Sequence, residues 1–290
     1  MDKTTRVVII NYNAGDALLR SVSSVLATTE PLRLIVADNA SNDGSCEKLR
    51  RQYAGNQRLE VFENEHNLGF GRAVNLCAMK AVEPFLLILN PDCELSPGAL
   101  AQLRMALEQD AQASLAAPMV VDRRQHMLRG TLRSFPAPMK ALMTASGLWR
   151  LGRRIPFFRG VETYHWDLPD GTCRAEAVSG ACMLLKTSMF RQLGGFDEGF
   201  GLHFEDLDLM YRLQEQHHYC LYVPGALAIH QPGISSRSRP WWVHRQKHLG
   251  MQRFFQKHYA NSYSLPARWL LVAGVWLHFV LTMPLVWLRR

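Results

Sequence analysis

The sequence predicts an α/β fold, a mostly parallel sheet followed by a hydrophobic C-terminal helix. Three observations carry that expectation. Strand-like and helix-like stretches alternate through residues 7 to 121. The run Phe85-Leu86-Leu87-Ile88-Leu89 is apolar without alternation, the pattern of a strand covered on both faces. Polar clusters follow the strand-like stretches, and the carboxyl ends of parallel strands are where α/β proteins bind ligands.

Val7-Val8-Ile9-Ile10 reads as a buried strand ending at Asn11-Tyr12-Asn13. Asp16 is placed to cap a helix whose apolar positions Leu18, Val22, Val25 and Leu26 follow the 3.6-residue period. A second strand, Leu32 to Ala37, ends at Asp38-Asn39-Ala40-Ser41-Asn42-Asp43-Gly44. A third, Leu59 to Phe62, precedes the loop Asn64 to Gly71 and a helix through Arg72-Ala73-Val74-Asn75. The fourth is 85–89, stopped by Pro91, after which Asp92 and Glu94, with Asn90 before them, are either hard oxygen ligands for a divalent cation carrying a diphosphate or a polar turn before the next helix. Ser96-Pro97 opens a helix from Gly98 to Glu108, with a cap and a proline in its first turn, and Ala113 to Val121 reads as a fifth strand. Such repetition implies right-handed crossovers, which bring the clusters at 11–13, 38–39, 64–72 and 90–92 to one edge and one cleft.

Prolines 136, 138 and 156 break the middle of the chain, where Trp149, Phe157 and Phe158 interleave with Arg150, Arg153, Arg154 and Arg159. That composition fits either a solvated basic connection or a membrane-facing lip that admits a lipid-linked acceptor. Ala177 to Leu185 is a turn feeding a strand, and Leu207, Met210, Tyr211 and Gln214 give helical spacing with Glu205 and Asp206 at the start. The positive end of a helix favours an ionised carboxylate there. Tyr222-Val223 and Ala226 to Ile229 read as two short strands ending at His230-Gln231-Pro232-Gly233.

At 290 residues and 48% hydrophobic, the chain can bury one large core or two small ones. Its 6 cysteines form no C-x-x-C pair, which argues against a zinc site or disulfide framework and fits a reducing, cytoplasmic setting. The first residues lack the apolar core and cleavage site of a signal peptide. The net charge of +8 matters less than its distribution: no Asp or Glu follows Glu215, and none lies between Arg123 and Arg159. Such surfaces seek anions, either nucleic acid or acidic lipid. The run Trp269 to Leu288 favours lipid, because it has about the 20 apolar residues needed to cross a bilayer. Arg268 and Arg289-Arg290 flank it, and both a spanning helix and an interfacial one with Trp269, Trp276 and Trp287 at the headgroups remain open. A buried core helix is the competing reading. No phosphate-loop, zinc-protease or nucleic-acid motif occurs, and Gly69-Phe70-Gly71-Arg72-Ala73-Val74 lacks the last glycine of a dinucleotide fingerprint.

Five motifs in order resemble the family 2 inverting glycosyltransferases, and within them the rhamnosyltransferase-like branch. They are Val8-Ile9-Ile10-Asn11-Tyr12-Asn13, Asp38 to Gly44, Asn67 to Asn75, Leu89-Asn90-Pro91-Asp92, and Gly194-Gly195-Phe196-Asp197-Glu198 running to Glu205-Asp206-Leu207-Asp208. The resemblance covers about residues 5 to 260 and implies a GT-A fold, a Rossmann-like, mostly parallel sheet that binds nucleotide sugars. It implies a domain over 1–260, with a nucleotide half to about 121 and an acceptor half from about 122, then a membrane-associated segment over 261–290. Asp38 would read the pyrimidine base, with Asn11, Asn13, Asn67, Arg72 and Asp92 around the donor. Asp92 would hold a divalent cation, Mg or Mn, and His230 stands about where similar enzymes place a metal-binding histidine. The family's usual Asp-x-Asp has Asn90 at its first position here, so one anionic ligand is replaced by an amide.

By the same resemblance Asp206 would be the general base, with Gly180 and Glu205 beside the acceptor; the competing reading is helix capping with a Glu205/Asp208/Arg212 charge face, and Asp208 and Arg212 read as structural. The implied activity is transfer of a sugar, rhamnose from dTDP-rhamnose first among the candidates, to a polyprenyl-diphosphate-linked glycan at the cytoplasmic face of the inner membrane. The alternatives are a hexosyltransferase using a UDP- or GDP-sugar, and a non-catalytic membrane-bound nucleotide or carbohydrate binder. Nucleic acid is not an expected partner.

Overall fold

The computed structural model describes residues 3–162, 169–233 and 239–288. The Trp287 side chain and Arg289-Arg290 lie outside the described residues. The first part of the chain runs β1 (Thr5–Asn11), α1 (Asp16–Leu26), β2 (Leu32–Asp38), α2 (Ser45–Gln52), β3 (Leu59–Glu63), α3 (Phe70–Ala78), β4 (Phe85–Leu89), β5 (Cys93–Leu95), α4 (Ala99–Gln109) and β6 (Ala113–Val121). The second part runs β7 (Leu132–Arg133), α5 (Pro138–Ser146), β8 (Cys173–Ala175), β9 (Ala177–Val178), β10 (Cys182–Lys186), α6 (Thr187–Gln192), α7 (Glu205–Glu215), β11 (Tyr219–His230), α8 (Pro240–His258) and α9 (Leu265–Leu288).

The predicted parallel strands β3-β2-β1-β4 lie side by side in that order, and β10, β6, β11 and β5 continue the sheet. β10 enters antiparallel to both β4 and β6, so the fifth predicted strand does not touch the fourth. Burial follows the alternation of the strands. Val7, Ile9, Leu87 and Leu89 face one layer with α1 and α4, while Val8, Ile10, Leu86 and Ile88 face the other with α3, α6, α7 and α8. A sheet sandwiched in this way leaves only its strand ends open to water.

Three local expectations change. Asp16 does not cap α1; Gly15 occupies the cap position and the Asp16 carboxylate pairs with Lys48 at 3.0 Å. Ser96 likewise gives no side-chain cap to α4, whose cap is Gly98 at φ 76°. A left-handed glycine turns each chain more sharply than a capping side chain allows. The two short strands at 222–229 are one strand, β11, with a register shift against β6 between Val223 and Leu227, where Pro224-Gly225 interrupts the ladder.

The C-terminal run is not a core helix. Leu265–Val286, 22 residues, is long and apolar enough to cross a membrane, and none of that stretch is buried. It packs on α8 through polar contacts, with Trp276 Nε1 donating to Gln252 Oε1 at 2.8 Å and His248 Nε2 3.0 Å from His278 Nδ1. Among the described residues, neither hydrophobic core cluster contains a residue of α9. Ending the chain after Ser264 should therefore give a protein that stays in solution without detergent and keeps the far-ultraviolet circular dichroism of the sheet; loss of that signal would mean α9 is needed to fold.

Candidate active site

The ends of β1 and β2 meet in register at Asn11 and Asp38. Asp38 is 2% exposed, so its charge must be met by donors. Asn11 Nδ2 and the Ser41 hydroxyl each donate to Oδ1 at 2.6 Å, and the Ser41 N–H donates to Oδ2 at 2.8 Å. Asn11 Oδ1 is buried without a hydrogen-bond partner among the described residues, an acceptor left for something else. Asn13, in the left-handed region at φ 51°, accepts the Asn42 N–H at 2.8 Å and donates its own N–H to Ser41 Oγ at 2.9 Å. Asn11, Asn13 and Asp38 thus share one knot. Its hub, Ser41, was missed as a site residue, although a serine three residues after an aspartate is a recognisable local pairing.

Among the described residues no hydrogen bond joins Asn67 or Arg72 to that knot. Asn67 Oδ1 accepts the Gly69 N–H at 2.8 Å and so shapes the turn into α3, while Asn39 Nδ2 donates to the Gly69 carbonyl at 3.2 Å. The Arg72 guanidinium is exposed, 3.8 Å from Glu198.

Past β4 the chain turns at Pro91 and pairs β5 with the end of β11, which sets His230 opposite Cys93. His230 Nε2 lies 3.0 Å from Asp92 Oδ1, and the Gln231 N–H donates to the Asp92 carbonyl at 3.0 Å. Glu94 is turned away, bound to Arg20 at 3.2 Å and Arg123 at 3.0 Å. Asp92 and His230 therefore converge as a carboxylate and an imidazole, and among the described residues no group of three or more such ligands forms. That set fits a divalent cation only if other ligands come from the bound molecule.

The Asn90 N–H donates to the Ala181 carbonyl at 2.9 Å, which carries the site across to β10. Gly180, one residue earlier, lies against Asp206: a Cβ there would sit 2.6 Å from Asp206 Oδ2. Asp206 accepts the Leu207 N–H at 2.8 Å at the start of α7 and is bound by the Arg133 guanidinium, which also donates to the Val178 carbonyl at 2.8 Å. His203 and Phe204, at φ 67° and 73°, make the tight entry to α7. Two consecutive left-handed non-glycine residues cost on the order of 1–3 kcal/mol each, strain that tends to collect at functional sites.

The two acidic side chains differ in charge. Burial pushes the Glu205 carboxyl up, to about 8, and the Asp206 charge beside it adds to the rise. Glu205 Oε2 has no partner among the described residues. Burial alone would also raise Asp206, but the Arg133 guanidinium overrides it and holds the carboxyl below the ordinary aspartate range. His203, pushed down to about 4 by burial and then by Lys247, stays uncharged at neutral pH. Neighbouring carboxyls pushed apart in this way have distinct roles, one neutral and one ionised. Arg133 lies 73 residues from Asp206, and no spacing in the sequence points to the pairing.

A family model described as "Glycosyl transferase family 2" matches residues 6–168. The chain is 28% identical over 279 residues to N-acetylglucosaminyl-diphospho-decaprenol L-rhamnosyltransferase of Mycobacterium tuberculosis, covering 91% of this chain and 88% of that one. It is 25% identical over 235 residues to rhamnosyltransferase WbbL of Escherichia coli K12, covering 80% and 85%. Among solved structures, the mannosyltransferase PcManGT of Pyrobaculum calidifontis, in complex with GDP-Man and Mn2+, superposes with a TM-score of 0.61 at 16% identity, covering 98% of this chain and 72% of that one.

Replacing Arg133 with Gln removes the charge that depresses Asp206, so the carboxyl should titrate at higher pH. Carbon-13 NMR of the labelled aspartate reads that shift; an unmoved titration would mean another group sets the charge of Asp206. Gly180→Ala should destabilise the fold by about 1–3 kcal/mol in urea unfolding, the usual range for overpacking.

Proposed function

The chain belongs to glycosyl transferase family 2, in its rhamnosyltransferase-like branch, and from that membership we propose that it transfers rhamnose from dTDP-rhamnose to a polyprenyl-diphosphate-linked glycan at the cytoplasmic face of the membrane. The observation that carries the reading is the Arg133–Asp206 ion pair at the start of α7, set against Gly180 and beside a buried Glu205 whose Oε2 has no partner among the described residues, together with the Asp92–His230 pair at the strand ends. A decaprenol-linked acceptor in the name of a relative that aligns with 91% of the chain supports the lipid carrier, and the exposed α9 supports the membrane. Residues 1–121 would serve the nucleotide, 122–260 the acceptor and 261–290 the membrane.

In this reading the pyrimidine base lies on Asp38 and the Asn11–Asn13 knot, with the orphaned Asn11 Oδ1 as a further acceptor and Asn67 and Arg72 at the nucleotide. Asp92 and His230 are the residues that would hold Mg2+ or Mn2+, whose charge would stabilise the leaving diphosphate. A nucleotide-sugar complex with Mn2+ in a protein of the same fold supports a divalent cation. The acceptor hydroxyl lies against Gly180, where the absence of a side chain leaves Asp206 open. Its oxygen bonds to the anomeric carbon as the carbon–oxygen bond to the diphosphate breaks from the opposite face, and its proton passes to Asp206. Glu205, neutral at pH 7, can donate a hydrogen bond to the acceptor without repelling the ionised base.

Asp206→Asn keeps the shape and removes the base. It should lower kcat on the order of 10² to 10⁴-fold with donor affinity unchanged by calorimetry. A near wild-type rate would leave Asp206 as a helix-start carboxylate and nothing more. Asp92→Ala should abolish the dependence of turnover on added cation; full activity of the wild type in excess chelator would remove the cation from the scheme. Side-by-side turnover of dTDP-rhamnose, UDP-sugars and GDP-sugars on one lipid-linked acceptor tests the donor, and preference for another nucleotide sugar would replace rhamnose.

A further inference from the structure

The excursion after β7 was open to two readings from sequence, and its exposed side chains separate them. Eighteen large hydrophobic residues are exposed among the described residues, seven of them on α9; of the other eleven, six lie between Met139 and Phe157. These six, Met139, Leu142, Leu148, Leu151, Ile155 and Phe157, are 40–63% exposed. Single exposed hydrophobes are ordinary, but a local concentration marks a contact surface. Met139 and Leu142 lie three apart on α5, Leu148 and Leu151 three apart on the 3-10 helix Leu148–Arg153, and Ile155 and Phe157 follow directly after it.

The segment is folded rather than loose. Met143 of α5 is buried, Lys140 binds Glu176 at 3.0 Å, and the Val161 N–H donates to Thr144 Oγ1 at 2.9 Å. The apolar residues are therefore outside a built element and not displaced from a core. Arg150, Arg153 and Arg154 are exposed among them, and none forms an ion pair with a described carboxylate. No Asp or Glu occurs from Arg123 to Val161. A surface that is both apolar and cationic, and whose own segment carries no acid, complements an anionic bilayer better than it complements water or a neutral protein face. The Ser134 N–H donates to the Val161 carbonyl at 2.6 Å, so the excursion returns to the strand that carries Arg133. It is therefore anchored next to the residue that holds Asp206.

We propose that residues 138–159 form a second membrane contact, seated on anionic lipid headgroups with Leu148, Leu151, Ile155 and Phe157 in the interface and Arg150, Arg153 and Arg154 on the phosphates. The proposal rests on the membrane reading of α9 and adds a surface on the acceptor side of the site, where a lipid-linked substrate would arrive without leaving the bilayer.

The test uses the full chain reconstituted in phosphatidylcholine vesicles, with and without phosphatidylglycerol. A Cys173→Ser background removes the half-buried thiol and leaves the buried ones. Fluorescent labels go on Leu151→Cys and Phe157→Cys, with Leu277→Cys on α9 and Val82→Cys on the exposed body as references. Retained donor binding verifies that each variant is folded. Lipid-borne quenchers should reach labels 151 and 157 several-fold more than label 82, and more strongly with phosphatidylglycerol. Changing Arg150, Arg153 and Arg154 together to Gln should lower that quenching several-fold without changing it at 277. If 277 is quenched while 151 and 157 match 82, the second contact is wrong and the α9 anchor stands. If 277 is also unquenched, the membrane reading fails and the proposal with it. Equal quenching with and without phosphatidylglycerol overturns the assignment to anionic lipid.

Discussion

The pairing of β10 with β4 is the constraint on which the site depends. β4 carries Asn90 and Asp92 at its end, and β10 begins just after Gly180, so the hydrogen bond from Asn90 to Ala181 joins the two halves of the cleft. Were β6 to pair directly with β4, as simple β-α repetition suggests, Gly180 and Asp206 would have no neighbour near Asp92. The antiparallel strand brings the turn before it to the edge where the parallel strands end. That geometry puts a carboxylate from the second half of the GT-A fold across from the polar strand ends of the first.

Electrostatics then decides which carboxyl is charged. Two adjacent buried acids cannot both ionise cheaply in a low dielectric. Arg133 lies on Asp206, so Asp206 takes the charge and Glu205 gives it up. The tight entry at His203–Phe204 fits only because Gly250 of α8 lies against it, where a Cβ would meet Phe204 Cδ2 at 2.9 Å. Packing of α8 thus supports the start of α7, and the same helix carries α9. Asp208 binds Arg212, Lys257 and His258, which ties α7 to α8 from below the site.

Legibility followed the range of the interaction. β1, β2 and β4 were readable because two-sided burial writes itself as an apolar run, and α9 because its apolar run is long and almost uninterrupted. The grouping of Asn11 with Asp38 followed from parallel register alone. What escaped depends on distant partners. The direction of β10 is set by neighbours nearly a hundred residues away, and Arg133 finds Asp206 through tertiary packing. β11 reads as two pieces because Pro224-Gly225 looks like a break, whereas the partner strand β6 carries the ladder across the irregularity. The glycine caps at 15 and 98 escaped for another reason: Asp16 and Ser96 have good capping chemistry but are not where the backbone turns.

In the proposed reading Asp206 takes the acceptor proton from the Gly180 side, and the transfer is one displacement at the anomeric carbon with no covalent sugar intermediate. Proton NMR of the first product formed from a donor of defined anomeric configuration tests that claim most directly. The account predicts the inverted anomer from the first turnover. A product of retained configuration would require a nucleophile on the protein and would contradict it.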